Sequence, residues 1–254
     1  MNNHCQCCLV MLWARAMRAI LNNECAVKDV IAQRQRNPRQ IQDKDFFREC
    51  AWAIYVAGFK AETVREKWPK LQQAFCYWDY KQICQNKNHV MKAATQAIKR
   101  PDKASAVVRI AERLCQSGWA TIKKQLLDGL TLNNQGNFVP HPNLIGYLDE
   151  YPMIGEVSAI YILKNIGYDV AKPDKWLKEL AGKFGYSENT SGVQQFASDI
   201  SQLVGERISV VDTVLWNAIS SKANLHFQCP CCGRQFQQGT SSDDENIQKQ
   251  RESS

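Results

Sequence analysis

The chain has no apolar run long enough to cross a bilayer, no glycine-rich phosphate loop, and no internal repeat. Those absences exclude a membrane-spanning protein, a P-loop nucleotide hydrolase and a solenoid. No stretch carries sustained apolar/polar alternation or a two-residue turn signal, so a β-sandwich or barrel is excluded as well. No secretory leader is expected in this stretch: the short apolar run Leu9 to Ala14 follows a cysteine-rich opening without basic residues, and Arg15 and Arg18 come soon after it, unlike a secretory signal. The expected location is therefore intracellular, in cytoplasm or nucleoid, or in the nucleus of a eukaryote. Eleven cysteines, an odd count without such a leader, argue against a disulfide framework. Histidine is scarce, and His89 and His141 stand alone.

What is present is a folded, moderately basic chain. With 254 residues and 44% apolar content it can bury one large core or two closely packed lobes. Its 32 Lys and Arg against 25 Asp and Glu give +7, and three of the acids, Asp243, Asp244 and Glu245, lie in a terminal stretch of their own. The remainder is more basic than the total, which suits a polyanionic partner without requiring one. Residues 239–254 hold no apolar side chain but Ile247 and read as a disordered polar tail; residues 1–238 read as the folded domain. Helical periodicity recurs from Leu9 onward and predicts an almost entirely α-helical fold. Helices are expected over 45–59, 104–115, 120–127, 142–150, 155–165, 175–184, 193–204 and 212–221, with Asp45 and Asp212 as helix caps. The loop from Asn133 to Pro142, with Gly136 and Pro140, is expected to join two lobes and to border a cleft.

Residues 151–177, YPMIGEVSAIYILKNIGYDVAKPDKWL, hold a tight turn at Ile154-Gly155, an apolar helix, and a Pro173-Asp174 pair opening another helix. A turn between two short helices offers backbone N–H groups at a helix start, a phosphate seat that reads no sequence. This stretch resembles the helix-hairpin-helix DNA glycosylase superfamily, whose hairpin is followed by a Gly/Pro-rich loop and a catalytic aspartate. The hairpin usually reads Leu-Pro-Gly-Val-Gly; here it reads Tyr151-Pro152-Met153-Ile154-Gly155, with Met153 in place of the first glycine. The resemblance implies an all-α, two-lobed fold with its hairpin over 147–167, and a seat for double-stranded DNA at Met153, Ile154, Gly155, Val157 and Ser158, supported by Lys164 and Lys172. It also implies that Asp174 promotes cleavage of the N-glycosidic bond. A carboxylate beneath the anomeric carbon stabilises positive charge as the sugar gains oxocarbenium character, and a helix N-terminus favours that negative charge. Bifunctional members carry a lysine shortly after the second glycine. Val157 occupies that position, so the expectation is a monofunctional hydrolase without lyase activity.

The target base has to leave the duplex to be reached. The stretch Ala51 to Ala61 resembles the pocket helix of type I 3-methyladenine glycosylases, where a Gly-Phe turn follows, and it nominates Trp52, Tyr55 and Phe59 as pocket walls. That family places a base-reading glutamate before its Gly-Phe. Ala57 stands there in this chain, which leaves a cationic alkylated purine without a carboxylate partner.

Six of the cysteines sit at the two ends. Cys229-Pro230-Cys231-Cys232-Gly233 contains a Cys-x-x-Cys-Gly knuckle, half of a tetrahedral zinc site, and Cys5 and Cys8 have the same spacing, with His4 or Cys7 as substitutes. The expected cofactor is one structural zinc on Cys5, Cys8, Cys229 and Cys232. A catalytic zinc lacks its His-x-Glu partner, an iron-sulfur cluster lacks the compact four-cysteine spacing, and no redox cofactor is implied. Three readings compete at this level: a monomeric base-excision glycosylase acting on a flipped base, a non-catalytic DNA-binding protein with the same hairpin, and a zinc-dependent interaction module.

Overall fold

The computed structural model describes residues 5–237, so His4 and the expected tail over 239–254 lie outside the described residues. Thirteen α-helices make up most of it. In chain order α1 (Gln6–Ile20) and α2 (Glu24–Gln35) open the chain. They are followed by α3 (Asp43–Val56), α4 (Ala61–Ala74), α5 (Tyr80–Gln85), α6 (Lys87–Ala97), α7 (Pro101–Ser117), α8 (Trp119–Leu127), α9 (Pro142–Asp149) and α10 (Glu156–Ile166). The last three are α11 (Lys175–Lys183), α12 (Thr190–Val204) and α13 (Ile208–Ser220). Sheet is confined to two antiparallel pairs, β1 (Thr131–Leu132) with β2 (Phe138–Val139), and β3 (Phe227–Gln228) with β4 (Gln235–Phe236).

Two apolar cores give two lobes. Helices α3 to α10 bury Phe46, Phe47, Ile54, Leu71, Phe75, Ile110 and Leu163 among themselves. The two ends of the chain make the other core: Leu9, Leu12 and Ala16 of α1 meet Phe196 of α12 and Val211 and Leu215 of α13. Local sequence explains the helix ends. Pro101 opens α7, Asn189 caps α12 by accepting from Gly192 N at 2.9 Å, and α10 stops at Gly167, whose φ is +114°. Gly167 is required on a second count, because a Cβ there would lie 2.8 Å from Asn37 N.

The seam between the lobes is polar and mostly hydrogen-bonded, though Arg207 Nε and the Ser209 hydroxyl are buried without a hydrogen-bond partner among the described residues. The Arg207 guanidinium donates to the carbonyls of Gln33 at 3.2 Å, Arg36 at 2.9 Å and Gly167 at 2.7 Å. Buried Asp169 accepts from Ser209 N at 2.9 Å, filling one of the open donors at the start of α13, and from Asn133 Nδ2 at 3.1 Å.

Three expectations need correction here. Helix α13 begins at Ile208, so Asp212 is a helix-interior residue rather than a cap, and α3 begins at Asp43 behind Gln42. The Asn133 to Pro142 loop does not border the cleft. It turns back as β1–β2 and is tied to the seam, where Phe138 O accepts from Asp169 N at 2.7 Å.

Candidate active site

The turn joining α9 to α10 is pinned from below. Tyr151 and Ile154 are buried, the Tyr151 and Tyr147 hydroxyls lie 3.0 Å apart, and Ile154 N donates to Tyr151 O at 3.1 Å. Met153, in place of the usual glycine, holds a left-handed backbone with φ +59° and leaves its side chain half exposed. Gly155 caps α10, and the first helical bond runs from Ala159 N to Gly155 O at 2.8 Å. The N–H groups of the first turn, Glu156 to Ser158, therefore have no carbonyl of their own helix to meet. Glu156, the one acid in that turn, accepts from Thr190 Oγ1 at 2.8 Å and is drawn toward α12.

Beside the turn lies a cleft of 590 Å³. The end of α3 (Ala53, Val56, Ala57, Gly58) forms one wall, and Val157, Ser158 and Tyr161 of α10 another. The loop Lys172-Pro173-Asp174 and the start of α11 close it. Asp174 caps α11, its Oδ1 accepting from Leu177 N at 3.1 Å, while its Oδ2 lies 3.9 Å from Lys172 Nζ. That amine also sits 4.1 Å from the centre of the Tyr161 ring. Burial pushes the Lys172 ammonium down, against the pull of Asp174 and Asp212. Tyr161 accepts from Trp52 Nε1 at 2.9 Å, and burial pushes its phenol up.

Asp174, Val157, Ser158 and Lys172 all line this cleft, and Gly155 lies just before them at the head of α10. Lys164 does not join them. Expected on the phosphate face, it is instead buried between the lobes and ion-paired with Asp212 of α13. Burial pushes the Asp212 carboxyl up, opposed by that partner. Tyr55 is fully buried against Phe75, with ring centres 6.1 Å apart, and is core rather than wall. Phe59 faces away under Lys103 Nζ and Arg100, 5.2 and 5.7 Å from its ring centre. Trp52 stands one residue behind the cleft, between Tyr161 and the Trp68 ring at 4.8 Å. The aromatic wall is Tyr161, which the sequence reading missed. Its signal was spacing: 157, 158 and 161 share one helical face.

At the chain ends β3–β4 presents the knuckle, with Gly233 N donating to Cys229 O at 2.9 Å and Cys229 N to Arg234 O at 2.8 Å. Cys5 and Cys229 sulfurs are 3.6 Å apart, Cys8 and Cys232 sulfurs 3.5 Å, and all four lie within 4.8 Å of one another. Thiolates around a tetrahedral zinc at about 2.3 Å stand about 3.8 Å from each other, so the four fit that ion. Cys7, Cys229 and Cys231 form a second, overlapping trio.

No protein-family model and no curated protein matches the chain. Among solved structures, the 8-oxoguanine DNA glycosylase of Methanocaldococcus jannaschii superposes with a TM-score of 0.52 at 17% identity, over 84% of this chain and 96% of that one. The chain thus has the all-α helix-hairpin-helix fold of that glycosylase. No helix among the described residues is long and apolar enough to cross a membrane.

Proposed function

We propose that the chain is an intracellular, monomeric DNA glycosylase that hydrolyses the N-glycosidic bond of a damaged, mismatched or modified base in double-stranded DNA, as the first step of base excision repair. One observation carries this reading: Asp174 faces an open cleft walled by the hairpin helix instead of being packed over, as a mere cap would allow. The first-turn N–H groups of α10 hold a phosphate beside the cleft, the flipped nucleotide enters it, and Asp174 stabilises the sugar cation while water attacks C1′. No amine is needed for this step, in keeping with Val157 after the hairpin.

Lys172 narrows the choice of base. Its ammonium covers the Tyr161 face that a cationic alkylated purine would need, and Ala57 supplies no carboxylate. A neutral base with acceptor atoms suits this wall better. Cys5, Cys8, Cys229 and Cys232 hold a structural zinc remote in role from the chemistry.

The test is excision from duplexes bearing single lesions, beginning with 8-oxoguanine because the structural neighbour is a glycosylase for it. Asp174→Asn should lower excision by on the order of a hundredfold while leaving affinity and thermal stability nearly unchanged, since asparagine caps a helix as well as aspartate. Equal turnover in the variant would leave Asp174 a cap and the chain a DNA-binding protein.

A further inference from the structure

Both ends of the chain carry the same pattern, Cys-x-Cys-Cys: Cys5-Gln6-Cys7-Cys8 leads into α1, and Cys229-Pro230-Cys231-Cys232 forms the knuckle. The structural zinc takes the first and last cysteine of each, leaving Cys7 and Cys231, which hold the same place in the two patterns. These two meet. The Cys7 side chain is in hydrogen-bonding contact with those of Cys231 and Cys229, and the three sulfurs lie within 4.8 Å of one another. We propose that Cys7, Cys229 and Cys231 hold a second zinc ion, bridged to the first through the Cys229 sulfur. The inference rests on the zinc reading of Cys5, Cys8, Cys229 and Cys232 and adds an exchangeable site beside it.

Cys229 is placed to be shared. It is buried, its sulfur is 3.6 Å from that of Cys5, and its side chain touches Cys8 and Cys232 of the first set as well as Cys7 of the second. A bridging sulfur has to be a thiolate, and the backbone N–H groups of Cys231 and Cys232 both donate to this one. Charge points the same way. Four thiolates around one divalent ion leave a surplus of negative charge, and a second ion that enters with the Cys7 and Cys231 thiolates adds as much positive charge as negative. The surplus therefore does not grow. Each of the two thiols gives its proton to solvent as the ion enters, and no electron changes hands.

Both groups consist of cysteine alone, a donor set that selects thiophilic ions over magnesium or calcium. Three protein sulfurs leave one tetrahedral position of the second zinc for water. Cys231 is exposed, so solvent reaches that position. With one sulfur fewer, and one of its sulfurs shared, the second ion is held more weakly than the first. Protein purified without added metal carries the first alone and takes up the second when metal is supplied.

The experiment uses the full chain carrying its first zinc, titrated with cobalt(II), which binds thiolates more weakly than zinc, leaves the bound zinc in place and reports sulfur ligation by charge-transfer absorption. The expected result is one further equivalent of cobalt with that absorption, displaced again by added zinc. Cys7→Ser and Cys231→Ser should each lower the cobalt affinity by about a hundredfold while the first zinc stays bound. Neither residue is buried, and retained zinc with an unchanged Tm shows that each variant is folded. With cobalt in both sites, coupling through the Cys229 sulfur should remove most of the paramagnetic resonance signal that one bound cobalt gives. Cobalt bound without charge-transfer absorption, binding undiminished in the two variants, loss of the first zinc in either of them, or two uncoupled cobalt ions each overturns the proposal. So does a stoichiometry that stays at one metal per chain, which removes the second site and leaves the first. A chain that binds no zinc at all loses both.

Discussion

Met153 shows how a residue can break a motif and still keep its geometry. Where the superfamily pattern has glycine, this chain holds a methionine at φ +59°, a region that costs an L-residue about 1–2 kcal/mol. The turn survives because Tyr151 and Ile154 are buried on either side and fix its path. Met153→Gly should therefore stabilise the protein by roughly 0.5–1 kcal/mol, less than the full strain because glycine loses more freedom on folding, and raise Tm by about 2 °C in a thermal melt. An unchanged or lower Tm would mean that the exposed methionine has contacts worth more than its strain. At this scale the sequence was legible where local chemistry rules. Asp174 stands before an apolar helical run and caps it, as its neighbours foretold. It was misleading where a partner lies far along the chain. Lys164 looked like a surface cation, yet Asp212 sits inside Val210-Val211-Asp212-Thr213-Val214, and a lone carboxylate in such an apolar run has to find a buried cation. That signal was present, but its partner could not be named before α10 and α13 were seen to meet.

At the scale of elements, the α9–α10 turn and the loop to α11 set the open N–H groups of α10, the proposed phosphate seat, and Asp174 on two sides of Val157 and Ser158. A Cβ at Gly155 would meet only Asp149 Oδ1, at an ordinary 3.8 Å, and its φ of −97° suits any residue. The glycine is thus not demanded by the fold, and the proposed phosphate seat is what a side chain there would crowd. Gly155→Val should weaken binding to damaged and undamaged duplex alike by about tenfold, with a modest stability loss of about 1 kcal/mol. The salt dependence of affinity separates this seat from the buried pair. Lys164→Met should leave the salt slope unchanged, because the ammonium it removes faces Asp212 and not solvent, while costing about 3 kcal/mol by stranding that carboxylate. A shallower slope in Lys164→Met would place its charge on DNA after all. Helix positions were readable from periodicity for α3 and from α7 onward, but periodicity set no range for α1, α2 and α4 to α6, and the caps at Asp45 and Asp212 did not hold. The pocket face was misread: α3 shows the cleft its C-terminal end, Ala53, Val56 and Ala57, and turns Tyr55 into the core. Aromatic content alone could not tell those two faces apart.

For the whole molecule, the two ends of the chain build one lobe together. Helix α1 packs on α12 and α13, β3–β4 brings the knuckle back to the start of α1, and the four sulfurs close within 4.8 Å. Matched Cys-x-x-Cys spacing at both ends made the meeting legible in sequence, whereas the lobe's composition, first helices with last, required the fold. Burial and the neighbouring Cys229 raise Cys8, whereas at Cys229 burial, the largest single influence, is outweighed by the amide N–H groups of Cys232 and Cys231 together with the Cys8 and Cys232 side chains, which bring it down to about 6. A divalent cation resolves that conflict. Metal analysis of protein purified without added zinc should give about one zinc per chain, and Cys5→Ser or Cys229→Ser should each release it. The loss should appear first as a lower Tm and faster amide exchange in α1 and β3–β4, because the proposed ion would tie down the ends of the second core. Excision should persist until that lobe loosens, since Asp174 is positioned by α11 and the hairpin rather than by the knuckle. Metal-free protein of unchanged stability would remove zinc from the structure, whereas a folded, metal-free protein without excision would move it into the chemistry.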